Sequence, residues 1–225
     1  MKDYRTILRK VGWVLIVGGL IDIGFMVHCI ANQTSYSSSF NIVAVIAGAF
    51  LLRGNLKAAW IVSWFMAFFI AGFTNTLIVM PFLFPFDLLL AHVRLAPAQA
   101  VAVIVFIPVL MVVLVWIYRS LASPPVLAAM DEAQVNYTSF WRKPTRGFWI
   151  GGCIPLLLIV FLSFLMGGET AVAAKRRAAA EVGEGYKFHV KSMNVSSNTS
   201  GKHVYAVVTA YNDTEIKDVV VNWSE

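Results

Sequence analysis

The stretch VGWVLIVGGLIDIGFMVHCIA, residues 11–31, is apolar throughout apart from Asp22 and His28. A helix rises about 1.5 Å per residue and bilayer hydrocarbon is about 30 Å thick, so an apolar run of about 20 residues has the length of one membrane crossing. That reading decides the class of the protein. It also makes Asp22 the most informative single position, because an acid at membrane depth is costly and marks a functional or packing site.

Four further apolar runs follow, at residues 37–52, 58–80, 98–118 and 147–167. Across the 225 residues, 59% are hydrophobic and 13% charged, whereas a soluble domain carries about a quarter charged residues. The expected fold is therefore an α-helical integral membrane protein, with about five transmembrane helices followed by a small exported α+β domain. Residues 1–120 would be a four-helix transmembrane block, 121–146 a polar cytoplasmic linker, 147–168 the fifth transmembrane helix and 169–225 the extracytoplasmic domain. The first run is too long for the apolar part of a cleaved signal peptide and is interrupted by Asp22, so it is expected to remain as an anchor.

Short cytoplasmic loops are enriched in Lys and Arg. With the N-terminus inside, ten of the eighteen cations (Lys2, Arg5, Arg9, Lys10, Arg53, Lys57, Arg119, Arg142, Lys143 and Arg146) fall on the cytoplasmic side, against Arg94 alone in the outer loops. The other seven lie in the C-terminal segment. An inside N-terminus and an outside C-terminal domain are expected. Six N-x-S/T matches occur, but the compact loops and the lack of exported disulfides favour a bacterial inner (plasma) membrane with a periplasmic domain. Cys29 and Cys153 would lie about 27 Å and about 9 Å from the same membrane face, too far apart for a disulfide.

Residues 81–97, PFLFPFDLLLAHVRLAP, are apolar but carry Pro81 and Pro85, which argue against a regular helix. The segment is expected in the outer interface with Asp87, His92 and Arg94 toward water. After Gly168, ETAVAAKRRAAAEVG reads as a helix ending at Gly183. YKFHVKSM, HVYAVVTAY and IKDVVVNW then read as strands separated by NVSSNTSG and NDTE, which gives one helix on a three-stranded antiparallel meander. At about 57 residues this domain is marginal alone and must lean on its own spans, the membrane or a partner.

Asp22 falls near the middle of the first run, about 16 Å deep, where no Lys or Arg of another run reaches it. Pro108 in the fourth run removes a helical donor and frees the carbonyl of Ile104, a candidate acceptor for Asp22. His28 and Asn75, with Thr76 beside it, come to a common depth of about 26 Å and could form a polar layer. Lys175, Arg176 and Arg177 could touch anionic headgroups. GFWIG at 147–151 and AVIAG at 44–48 have the small-xxx-small spacing that lets helices approach closely. His189 and His203 would face each other if the first hairpin turned at Ser196.

No phosphate-binding loop, dinucleotide turn, HExxH, GxSxG or clustered pair of carboxylates at one depth is present, so no catalytic, cofactor or metal residues are assigned. The net charge of +6 follows the topology rule and does not imply nucleic acid. Besides the lipid bilayer, the expected partner is a membrane protein or a second copy of the chain. The expected function is that of a non-catalytic accessory protein of a bacterial inner-membrane complex. The alternative is a small transporter or proton-coupled channel using Asp22. A membrane enzyme would require a water-accessible cavity joining Asp87, His92 and Arg94 to the outer domain.

Overall fold

The computed structural model describes residues 2–33, 41–135, 145–166, 168–183, 185–198 and 201–224. In chain order they form α1 (Lys2–Ala31), α2 (Asn41–Leu52), α3 (Leu56–Leu83), α4 (Phe86–Leu95), α5 (Pro97–Leu121), α6 (Pro124–Glu132), α7 (Arg146–Met166), α8 (Glu169–Val182), β1 (Lys187–Asn198), β2 (Gly201–Tyr211) and β3 (Ile216–Ser224). Among the described residues three helical stretches, Tyr4–Ala31, Leu56–Met80 and Val103–Leu121, are long and apolar enough to cross a membrane. Ile42–Leu52 and Arg146–Phe161 are shorter apolar stretches. Much of this apolar surface is exposed, including Ile21, Ile104, Val112 and Leu157, as expected of helices that face lipid. Residues 37–40 of the second apolar run, 136–144 of the expected linker and Gly167 lie outside the described residues.

Two compact units are present, Met1–Phe73 with Leu110–Gly152, and Thr74–Val109 with Cys153–Glu225. In the first, Leu8, Val11, Leu51, Val62, Ile117 and Leu121 form a core, and Val126 and Met130 of α6 are buried in the same cluster. The segment expected as a linker thus contributes a packed helix. Its start is set by Ser123 before Pro124 and Pro125, at positions where a missing N–H costs nothing. Val126, Leu127 and Met130 then recur at helical spacing.

Both small-xxx-small motifs sit at close helix contacts. A Cβ on Gly48 of α2 would come within 2.6 Å of the Gly12 carbonyl oxygen of α1, and one on Gly147 of α7 within 2.4 Å of the Trp64 carbonyl oxygen of α3. Only glycine permits such backbone approach. Beside the α3/α7 contact, Tyr118 of α5 meets Phe148 edge-on at 5.1 Å.

In the second unit β1, β2 and β3 pair antiparallel in sequence order. One face of the sheet carries Val190, Val204, Ala206, Val208, Ala210, Val219, Val221 and Trp223 against Ala171, Ala174 and Ala178 of α8. Alanines at i, i+3 and i+7 form one smooth helical stripe, which lets α8 lie close on the pleat. Gly183 ends α8 with φ +92, a conformation open to glycine. The β1–β2 register shifts between Val190 and Ser192, so Lys191 is the extra residue of a β-bulge. Alternation therefore changes phase, from Phe188 and Val190 to Met193 and Val195. Asn198 pairs with Gly201 and Ser196 with His203, while His189 pairs with Thr209. The condition for His189 to face His203, a turn at Ser196, is therefore not met, because the hairpin turns nearer the strand end.

The segment carrying Pro81 and Pro85 is also helical, contrary to expectation. α3 runs through Pro81 to Leu83, and α4 follows as a regular helix. Pro85 precedes the first turn of α4 and Pro97 opens α5, so neither needs an amide donor within its helix.

Candidate functional site

α4 lies on the sheet face opposite α8. Its Leu88 and Ala91 are buried with Tyr211 of β2, and Ile216 of β3 packs against them. Lys187 of β1 pairs with Asp87. The Arg94 guanidinium donates to Asp213 Oδ1 at 3.1 Å. Phe84 meets the His189 ring at 5.5 Å between centroids. Asp213 sits in the β2–β3 turn, where Asn212 Oδ1 accepts from the backbone N–H groups of Thr214 (2.9 Å) and Glu215 (2.8 Å). That side-chain cap is why NDTE folds into a tight turn.

Between α4 and the sheet is a polar cleft of about 280 Å³, lined by Asp87, Leu90, Arg94, Lys187, Tyr211 and Asn212 among others. It joins Asp87 and Arg94 to the sheet domain. His92 instead places Nδ1 2.9 Å from the Leu88 carbonyl oxygen and does not line it. Burial raises the Tyr211 phenol above its ordinary value and Asp87 raises it further, so the hydroxyl stays protonated and can donate. The cleft's acids and bases are engaged with one another, and the arrangement serves to hold α4 on the sheet.

A second polar cluster lies on the same sheet face. Thr209, buried, donates to Asp218 Oδ1 at 2.8 Å, and bulged Lys191 pairs with Asp218. The Lys191 ammonium, with the Thr209 hydroxyl, holds the Asp218 carboxyl below the ordinary carboxylate range against the opposing effect of burial. Farther along the face Tyr205 and Val220 are half exposed, beside Asn194, His203, Asn222 and Ser224, which line an open groove.

Docking of α4 should depend far more on its apolar contact than on its ion pairs, whose partners are mostly more than half exposed and therefore screened. Leu88→Ala is expected to weaken docking by about 2 kcal/mol or more. Asp87→Asn should produce a smaller loss that high salt abolishes. Amide hydrogen exchange at Tyr211 and Ile216 reads both, and a larger effect from Asp87→Asn would reverse this ranking.

His189 supplies a pH dependence. Burial lowers its imidazole pKa from the ordinary 6.5, and Lys175 lowers it further. The unfolded chain therefore takes up the proton first, so this contribution to stability is complete above about pH 6.5 and is lost as pH falls through the lower folded value. His189→Gln should flatten the acid limb of a thermal-unfolding profile. Identical limbs in both proteins would assign the titration elsewhere.

Asp22 is half buried on α1, and His28 is exposed, with Asn32 Nδ2 donating to its backbone oxygen at 2.8 Å. Both belong to the first unit, whereas Asn75, half buried, Thr76, exposed, and Ile104 and Pro108, exposed in α5, belong to the second. The proposed polar layer and the Asp22–Ile104 pair each draw residues from both units. Lys175, Arg176 and Arg177 are exposed on α8, and the Arg177 guanidinium lies 4.8 Å over the Trp223 ring. Among the described residues no group of three or more His, Cys, Asp or Glu is placed to hold a metal ion.

Sequence reading missed Lys187, Lys191, Thr209, Tyr211, Asp213 and Asp218 as a set. The bulge had a signal, since Val190 and Met193 are three residues apart where alternation demands two or four. The pairs across α4 had none, because they join residues about a hundred positions apart. Compared with protein-family models, with curated proteins and with solved structures, the chain matches none of them.

Proposed function

We propose that the chain is a non-catalytic accessory protein of a bacterial inner-membrane complex, with its sheet domain in the periplasm. The observation that carries this reading is the division of one sheet face. α4 occupies the half around Tyr211 and Ile216, while the half around Tyr205 and Val220 is open. A small sheet domain braced by α4 can present that open half to a partner segment without the ordering cost of a free tether. In this reading α1, α2, α3, α5 and α7 are the five spans, the N-terminus is cytoplasmic, and Asp22 contributes a contact to a second membrane subunit. α7, with 21 residues, is about 31 Å long, which matches the hydrocarbon thickness.

The test is affinity purification in mild detergent of the wild type beside Tyr205→Glu and Asp22→Leu, with mass spectrometry and an exchange-based check of folding. A membrane protein recovered with the wild type and depleted from the folded variants supports the proposal. A monodisperse monomer that copurifies with nothing would overturn it.

The transporter reading is the second, and rests on Asp22 at membrane depth. It requires Asp22→Asn to abolish flux in proteoliposomes while leaving expression intact.

A further inference from the structure

The basic face of α8 takes no part in the α4 contact. Lys175, Arg176 and Arg177 are consecutive and exposed, beginning in the second turn of the helix. Lys202 of β2 is engaged separately, its ammonium donating to Thr170 Oγ1 of α8 at 3.1 Å. The acids of the helix, Glu169 and Glu181, stand at its two ends. Val172 is 64% exposed and lies one turn before Arg176, so the face presents an apolar side chain followed by cations. Arg177 over the buried Trp223 ring is held against the sheet domain itself, which leaves Lys175 and Arg176 as the cations turned outward with Val172.

We infer that this face of α8 binds anionic phospholipid headgroups, with Lys175 and Arg176 against phosphates and Val172 at the acyl boundary. The inference rests on the proposed crossing of the bilayer by α7. α8 begins at Glu169 and α7 ends at Met166, so the patch is tethered close to the surface it would bind. Tethering makes a weak contact effective, since the local headgroup concentration is set by the short connection and not by bulk binding. Each cation near an anionic surface is worth about a five-fold change in the bound population. Nothing in the patch is shape-selective for one lipid, so the recognised chemistry is the anionic phosphate at the membrane surface.

The experiment uses the full chain with Cys29→Ala and Cys153→Ala, an environment-sensitive dye on Val172→Cys, and reconstitution into phosphatidylcholine vesicles with or without phosphatidylglycerol. Dye emission should shift to the blue only with phosphatidylglycerol, and high salt should reverse the shift. Adding K175Q/R176Q should reduce the shifted population about ten-fold or more. This variant keeps Arg177 on Trp223, and amide exchange across the sheet verifies the fold. Emission that ignores lipid charge, or that the double variant leaves unchanged, overturns the inference. Flotation separates the membrane crossing from the headgroup contact: a chain that fails to float with neutral vesicles overturns the crossing itself, and the headgroup contact with it.

Discussion

Gly151→Leu is expected to abolish folding of the first helical unit in detergent, with a loss above about 3 kcal/mol. A Cβ at this position would come within 2.2 Å of the Phe68 carbonyl oxygen and 2.9 Å of the Phe68 Cα. The obstacle is backbone, which cannot swing aside as a side-chain tip can, so α3 and α7 must separate. Separation also disrupts the Tyr118–Phe148 contact and uncovers Ala67, which is fully buried. Gly152, the next residue, is the internal control, because nothing lies within 4 Å of its Cβ position. Gly152→Ala should be neutral or stabilising by about 0.5–1 kcal/mol, since alanine is the better helix former. The fraction of monodisperse protein after extraction, together with unfolding midpoints in denaturing detergent, distinguishes the two. Equal behaviour of the two variants would refute the glycine-mediated contact.

Trp223→Ala should unfold the sheet domain while leaving the helical core of the first unit in place. Truncating a buried Trp costs about 3–5 kcal/mol, and Trp223 is only 8% exposed. A domain of about 57 residues has a total stability of about 3–8 kcal/mol, so one cavity consumes much of the margin. The loss also removes the ring beneath Arg177. Hydrogen exchange should show the amides of β1, β2 and β3 losing protection together, with the α1, α3 and α5 amides around Leu8, Val62 and Ile117 unchanged. Retained protection in the sheet would mean that its stability comes mainly from the α4 contact, and Leu88→Ala would then become the more damaging change.

Sequence by itself determined the local and the collective features. Apolar length marked five runs, three of which are helices long and apolar enough to cross a membrane; small-xxx-small spacing marked Gly48, Gly147 and Gly151, an Ala-rich stretch between Glu169 and Gly183 marked α8, and β-rich runs between turn residues marked all three strands. Each of these follows from a periodicity of a few residues, or from the cost of exposing backbone to lipid, and needs no knowledge of distant chain. Tertiary structure alone decided that α6 packs into the helical core and that the proline-flanked segment forms a docked helix. It alone brought Asp87 to Lys187, Arg94 to Asp213 and Lys191 to Asp218, leaving the Tyr205 half of the sheet open. The physical reason is that surface ion pairs and small apolar contacts are individually weak and interchangeable by composition. Any of several acids could have met Lys187, and only the assembled sheet and the path of α4 select which one does.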